Sequence, residues 1–262
     1  MHDTMAGWLT RWGKNATVLQ ALAELEPLLP GGLPRELIVA PPVLGGGRLA
    51  LISDIHGNYE ALKRVLEDIE SCACDRIVCL GDLVDGGPED SRVLQAVQSR
   101  EIPAVRGNHD FGEALGLSRE ECRYLQGLPD GLTEEELHFT HISPRTRKQG
   151  LSNPIEAWNV FDEFPHRLTF VGHLHVPLVY CQRSKTFGEA GVLDFEYGKP
   201  LALKSQERYI VCVGAVAYGR DGLGKARYAI YDRTAQTLEM RAVEAPMLGK
   251  DYTIKYRIQE TR

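Results

Sequence analysis

LISDIHGNYEAL, residues 51 to 62, decides how the rest of the chain is read. Leu51 and Ile52 close an apolar run, and Asp54 and His56 follow it two residues apart. Alternate residues of an extended chain project to the same side, so this carboxylate and imidazole form a pair aimed one way. Gly57 gives a turn, and Asn58 is placed to cap the amphipathic helix that the spacing of NYEALKRVLEDIES (58–71) predicts, with Glu60 in its first turn. Taken alone, the Asp-Ile-His triplet also fits an ordinary polar strand end. The segments that follow decide between the two.

From Arg48 onward the pattern alternates. RLALISDIH (48–56), RIVCLGD (76–82) and IPAVRGNHD (102–110) read as strands, and the helical stretch after Asn58 and EDSRVLQAVQS (89–99) lie between them. Strands alternating with helices imply βαβ units and a largely parallel sheet. The second half is richer in strands: ELHFTHIS (136–143), RLTFVGHLH (167–175), PLVYCQ (177–182), RYIVCVGAVAY (208–218) and ARYAIYD (226–232). One helix, around NPIEAWNVFDEF (153–164), interrupts them, so a second sheet packed on the first is expected. Residues 1–47 read as an N-terminal extension: an amphipathic helix over 15–29, capped by Asn15, then a connector rich in proline and glycine. The main domain is expected over 48–262.

Five of these strands end in metal-binding groups: Asp54 and His56; Asp82; Asn108-His109-Asp110; His141; and His173 with His175. In an open α/β sheet, ligands gather at the carboxyl ends of the strands. Strands in register therefore bring all five groups to one edge. Oxygen from aspartate and asparagine plus imidazole nitrogen suits manganese, iron or zinc rather than calcium. Seven ligands exceed what one ion needs and match two ions sharing a bridging carboxylate. Asp82, on a short strand end after Gly81, is the natural bridge.

The ordered set Asp-x-His, Gly-Asp, Gly-Asn-His-Asp, His and Gly-His-x-His resembles the calcineurin-like metallophosphoesterase superfamily over residues 48 to about 232. SDIHGNYEAL (53–62), HISPR (141–145) and GHLHVP (172–177) are similar to the small bacterial phosphodiesterases of its diadenosine-tetraphosphatase-like branch. The resemblance implies an α/β fold: a four-layer αββα sandwich of two mixed sheets flanked by helices, with a dinuclear site between the sheets. It implies that Asp54, His56 and His175 hold one metal, that Asn108, His141 and His173 hold the other, and that Asp82 bridges them. Manganese is the first expectation, with iron, zinc or nickel as alternatives. His109 is implied as the general acid.

Two ions about 3.5–4 Å apart can share a hydroxide for in-line attack on phosphorus. The leaving oxygen then needs a proton, and His109, next to a ligand without having to be one, is placed to give it. Asp85 or Asp110 is the carboxylate expected to orient His109, and Arg106 is expected to support the ligand-bearing loop.

Two features depart from relatives. Gly86 of Val84-Asp85-Gly86-Gly87 stands where the Ser/Thr phosphatases and symmetrical tetraphosphatases carry an arginine. Its absence weakens the grip on a monoester phosphate and leaves room for a diester's second substituent. Ile142 stands where a glycine is usual and narrows that side of the cleft. Arg145 is a candidate replacement phosphate clamp, while Arg147 reads as part of a solvated loop. GRDGLGKA (219–226) mimics a phosphate loop, but Ala226 stands where Ser or Thr is needed and a strand follows, so a hairpin loop is expected.

The resulting expectation is a phosphodiesterase acting on small or cyclic nucleotides. A phosphomonoesterase or Ser/Thr phosphatase-like enzyme is the alternative, and a metal-binding interaction scaffold of the same fold is the non-enzymatic one. A net charge of −6 argues against an extended nucleic-acid partner. No apolar run has the roughly 18 residues of a membrane span, and the start of the chain lacks a secretory layout, so a cytoplasmic location is expected. The six scattered cysteines are expected to be free thiols.

Overall fold

A computed structural model describes residues 47–85, 89–111, 116–146 and 149–248. The extension expected up to residue 47, with its helix over 15–29, falls outside the described residues except for Gly47, as do Gly86, Gly87 and Arg147. The chain runs β1 (Arg48–Ile52), α1 (Tyr59–Ser71), β2 (Arg76–Cys79), α2 (Asp90–Ser99), α3 (Arg119–Gln126), β3 (Gly131–Glu134) and β4 (Leu137–Thr140). It continues through α4 (Pro154–Glu163), β5 (Leu168–Val171), β6 (Leu178–Cys181), β7 (Gly191–Val192), β8 (Pro200–Ala202), β9 (Tyr209–Cys212), β10 (Ala226–Asp232) and β11 (Thr237–Val243).

Two mixed sheets result. The first has the order β2-β1-β10-β11-β8, with β1 and β2 parallel and β1 and β10 antiparallel. The second has the order β3-β4-β5-β9-β6-β7, with β4, β5 and β9 parallel. Side-chain alternation sorts the core into layers. Ala50 and Ile52 of β1 pack with Leu62, Val65 and Ile69 of α1, while Leu49 and Leu51 turn the other way, toward Phe139, Phe170 and Val211 of the second sheet. On that sheet's far face, Ile210 and Cys212 meet Ala157, Val160 and Phe161 of α4. The layers are therefore helix, sheet, sheet, helix. Each fully buried aliphatic or Phe side chain contributes roughly 1.5–3 kcal/mol.

The caps follow the residues. Asn58 accepts from the Ala61 N–H at 3.1 Å and starts α1. Asn153 accepts from Ile155 and Glu156 ahead of Pro154, starting α4. All six cysteines are free; Cys79, Cys181 and Cys212 are buried, and burial pushes their thiols up.

Three sequence expectations change. The strand expected over 102–110 pairs only through an isolated parallel bridge, Cys79 with Ala104, because its second half leaves the sheet to form the site. Residues 219–226 do not form a hairpin within one sheet: β9 and β10 lie in different sheets, and this stretch crosses between them. Helix α3 and strand β11 were not expected; a Ser118–Glu121 capping box starts the helix, and alternating burial marks the strand.

Candidate metal centre

The strands stop where their chains turn toward one another. After β1, the Asp54 N–H donates to Gly81 O at 3.0 Å, and those of Ile55 and His56 donate to Asp82 O at 2.8 and 3.0 Å. After β5, the Gly172 N–H donates to His141 O at 2.9 Å. From the segment after β9, the N–H groups of Val216 and Ala217 donate to Ser53 O and Asp54 O, both at 2.9 Å. The ends of both sheets are thus stitched together at one edge.

Five of the seven expected ligands take positive φ: Asp54 (55°), His56 (46°), Asp82 (54°), His173 (67°) and His175 (59°). Such a conformation costs a non-glycine residue roughly 1–2 kcal/mol and is held only where surroundings over-determine it. Here it swings each side chain off its strand direction into a shared recess.

The recess holds two linked groups of donors. In the first, His175 Nε2 lies 3.1 Å from Asp54 Oδ1 and 3.2 Å from His56 Nε2. In the second, His141 Nε2 lies 3.1 Å from Asp82 Oδ2 and 3.0 Å from Asn108 Oδ1, which is 2.9 Å from His173 Nδ1. Asp82 Oδ2 joins the two, being also 3.7 Å from His56 Nε2. The far ring nitrogens are tied down: His141 Nδ1 donates to Leu80 O at 2.7 Å and His175 Nδ1 to Tyr218 O at 3.1 Å. Those bonds turn each Nε2 toward the recess.

Electrostatics match a cation site. Burial raises the Asp54 carboxyl, but His175 and His56 more than reverse this and hold it well below the usual carboxylate range. Burial also raises Asp82, and His141 and His56 bring it down to about 2. Burial lowers His141, yet Asp82 pulls it up to about 9; at His173 burial prevails and takes the imidazole down to about 4. Two ionised carboxylates, an amide oxygen and several imidazole nitrogens converge there. That donor set fits divalent first-row ions.

His109 sits at the edge of this recess, a quarter exposed, with its N–H bonded to Asp82 Oδ1 at 2.8 Å. Its Nδ1 is 3.1 Å from Asp85 Oδ1 and its Nε2 4.0 Å from Asp82 Oδ2. Burial lowers the imidazole, but the Asp85 bond and the Asp82 and Asp85 charges outweigh it and raise the pKa.

Asp110, the other carboxylate considered for orienting His109, does different work. Its oxygens accept the N–H groups of Asp82 (2.9 Å), Leu83 (2.8 Å), Val84 (3.3 Å) and Gly107 (2.7 Å), bracing the loops that carry Asp82 and Asn108. Burial and the Asp82 charge push it up to about 6. Arg106 bonds Asp130 at 2.7 Å, and its own N–H donates to Pro129 O, so it anchors the loop from outside the recess. Arg145 is taken up by Glu163 at 2.7 Å and Glu156 at 3.6 Å on α4.

Two contributors, Asp90 and Tyr218, were not singled out in the sequence, and Gly107 is held more tightly than its place beside a ligand implies. Buried Asp90, at the start of α2, accepts the Asp85 N–H at 3.2 Å and fixes the residue that faces His109. Tyr218 supplies the carbonyl to His175 and lays its ring on that imidazole, centroids 4.3 Å apart. Gly107 has no room for a side chain, since a Cβ there would meet Asp82 Oδ1 at 2.0 Å and Asp82 N at 2.1 Å. Gly107→Ala is therefore expected to destabilise the protein by roughly 1–3 kcal/mol, read as a lowered denaturation midpoint. It is also expected to weaken metal uptake by moving Asp82.

Residues 48–232 match the calcineurin-like phosphoesterase superfamily domain, most of the chain. The chain belongs to that superfamily. It is a metal-dependent phosphoesterase. It is 31% identical to an uncharacterized protein of Methanocaldococcus jannaschii, over 75% of this chain and 87% of that one. It is also 31% identical to a metallophosphoesterase of Sphaerobacter thermophilus of known crystal structure, with a TM-score of 0.67 over 76% of this chain and 89% of that one. A shorter stretch, 29% of each chain, is 38% identical to a symmetrical bis(5'-nucleosyl)-tetraphosphatase of Delftia acidovorans. Superfamily members generally use two divalent metals, and the Asp/His groups above are able to bind such ions. Among the described residues no helix is long and apolar enough to cross a membrane.

Proposed function

We propose that the domain formed by residues 48–262 hydrolyses small or cyclic nucleotide phosphodiesters. Asp54, His56 and His175 would hold one ion, Asn108, His141 and His173 the second, and Asp82 both. Manganese is our expectation for the metal. The observation that carries this reading is the position of Asp82 Oδ2, shared between the two donor groups, with His109 beside it. Bound divalent ions would polarise the phosphoryl oxygens and lower the pKa of an attacking water.

The chain's own residues supply the rest. Asp85 on Nδ1 fixes the His109 ring and favours its protonated form, so Nε2 carries the proton for the leaving oxygen. Asp54, Asp82, His56 and His175 are buried, and charges shielded from bulk solvent interact more strongly.

Preference for a diester is supported by arginine placement. Gly86 offers no guanidinium, and Arg145 and Arg106 are held by carboxylates. A nucleotide substituent is supported by the partial likeness to the Delftia enzyme and by Phe111. That ring is 63% exposed, and the Phe111 N–H bonds His109 O at 2.8 Å, so an exposed aromatic ring two residues from His109 is available for stacking. Base–aromatic stacking contributes roughly 1–3 kcal/mol. Phe111→Ala is thus expected to weaken inhibition by a nucleoside monophosphate about tenfold, with inhibition by inorganic phosphate unchanged. Free thiols throughout agree with a cytoplasmic location.

The test is hydrolysis of bis-p-nitrophenyl phosphate against p-nitrophenyl phosphate with added manganese. A higher kcat/KM on the diester is expected. Turnover of the monoester alone would favour the phosphomonoesterase reading, and no metal-dependent turnover of either would point to an interaction scaffold.

A further inference from the structure

We propose that Arg220 binds the substrate's phosphoryl oxygens at the Asp54–His56–His175 side of the site. This rests on the phosphoesterase reading above but not on the diester preference. Arg220 lies between β9 and β10, in the segment whose backbone is stitched to the ligand-bearing strand ends. Its N–H donates to His175 O at 3.0 Å, and three residues earlier Ala217 donates to Asp54 O. The loop position is therefore set by two of the expected ligands.

The side chain is guided by Tyr218. That ring is 6% exposed and rests on His175 and His56, with centroids 4.3 and 5.6 Å away, and its hydroxyl hydrogen-bonds the Arg220 side chain. A phenol is neutral at ordinary pH, so this hydroxyl orients the guanidinium without neutralising it.

Charge accounting separates Arg220 from its neighbours. Arg145 is paired with Glu163, Arg106 with Asp130 and Arg227 with Asp221. Among the described residues no carboxylate forms an ion pair with Arg220, and it is exposed. A guanidinium held by a phenol at the rim of a phosphoester site keeps its fork of donors for a pair of phosphoryl oxygens.

The experiment uses the full, metal-loaded chain and compares Arg220→Ala, Arg220→Lys and Tyr218→Phe. The readouts are inhibition by inorganic phosphate, KM and kcat on bis-p-nitrophenyl phosphate, and metal content. Arg220→Ala is expected to weaken phosphate inhibition roughly 10- to 100-fold, the loss expected for a charged hydrogen bond. Its effect should fall more on KM than on kcat, with metal content retained. Arg220→Lys should recover part of the loss, because charge returns without the fork, and Tyr218→Phe should shift KM the same way by less. Unchanged phosphate inhibition in both Arg220 variants would overturn the proposal. So would loss of metal from Arg220→Ala, which would make Arg220 a support for His175 instead. If the wild type binds phosphate through Arg220 but cleaves no diester, the diester reading fails and this one stands.

Discussion

His109→Ala is expected to lower kcat on a nucleotide diester by roughly 10²–10⁴-fold, the usual contribution of a positioned general acid. Metal content should stay at the wild-type level, because His109 touches Asp82 through its backbone N–H, which alanine keeps. The loss should depend on the leaving group. p-Nitrophenolate departs with little help from a proton, so bis-p-nitrophenyl phosphate should suffer least and an alkyl or nucleoside leaving group most. Asp85→Asn should give a smaller loss with a distinct signature. Burial lowers the His109 imidazole and Asp85 raises it, with a net upward shift. The acid form therefore persists to higher pH in the wild type than in the variant. Without the Asp85 charge, the descending alkaline limb of the kcat profile should move to lower pH. Equal losses on good and poor leaving groups would remove His109 from the proton-donor role.

The second large effect is expected from Asp82→Asn. Asparagine tolerates the positive φ that Asp82 adopts and can still accept the His109 N–H, so the backbone around the site should survive. It loses the charge that both donor groups share, and His141 loses the carboxylate that pulls its pKa up to about 9. Metal content is expected to fall from two ions per chain to one or fewer. Turnover should drop by more than the roughly 10–100-fold typical of residues that only support a ligand. Retention of two tightly held ions in this variant, measured by elemental analysis after gel filtration, would show that Asp82 is not the bridge.

Much of the fold was legible because the strands that build it are short and apolar, and because α1 and α4 begin at asparagine caps. Asn58, Asn153 and the run Leu49–Ile52 announce their roles locally. The candidate site could be assembled for a related reason: each expected ligand group is a short motif at a strand end, and sheet geometry does the gathering. What stayed hidden depends on contacts through space. Asp110 looked like a partner for the histidine beside it, but its oxygens turn back to brace the N–H groups of Asp82, Leu83, Val84 and Gly107. Asp90 and Tyr218 act from distant parts of the chain, on Asp85 and on His175. The stretch after Pro103 continued an apolar pattern yet pairs at one position only, because Gly107 must press against Asp82 there. For α3 and β11 the signals were present, in the Ser118–Glu121 box and the alternation of TLEMRAV (237–243), but they lay outside the segments that carry ligands.

Whether two donor groups joined by Asp82 hold two ions that act together is measured by a manganese titration of metal-stripped protein, following bis-p-nitrophenyl phosphate turnover and the electron paramagnetic resonance spectrum in parallel. Turnover should rise with the second equivalent, together with the spectral signature of two coupled ions. Full activity at one equivalent, or two bound ions with no magnetic coupling, would contradict it.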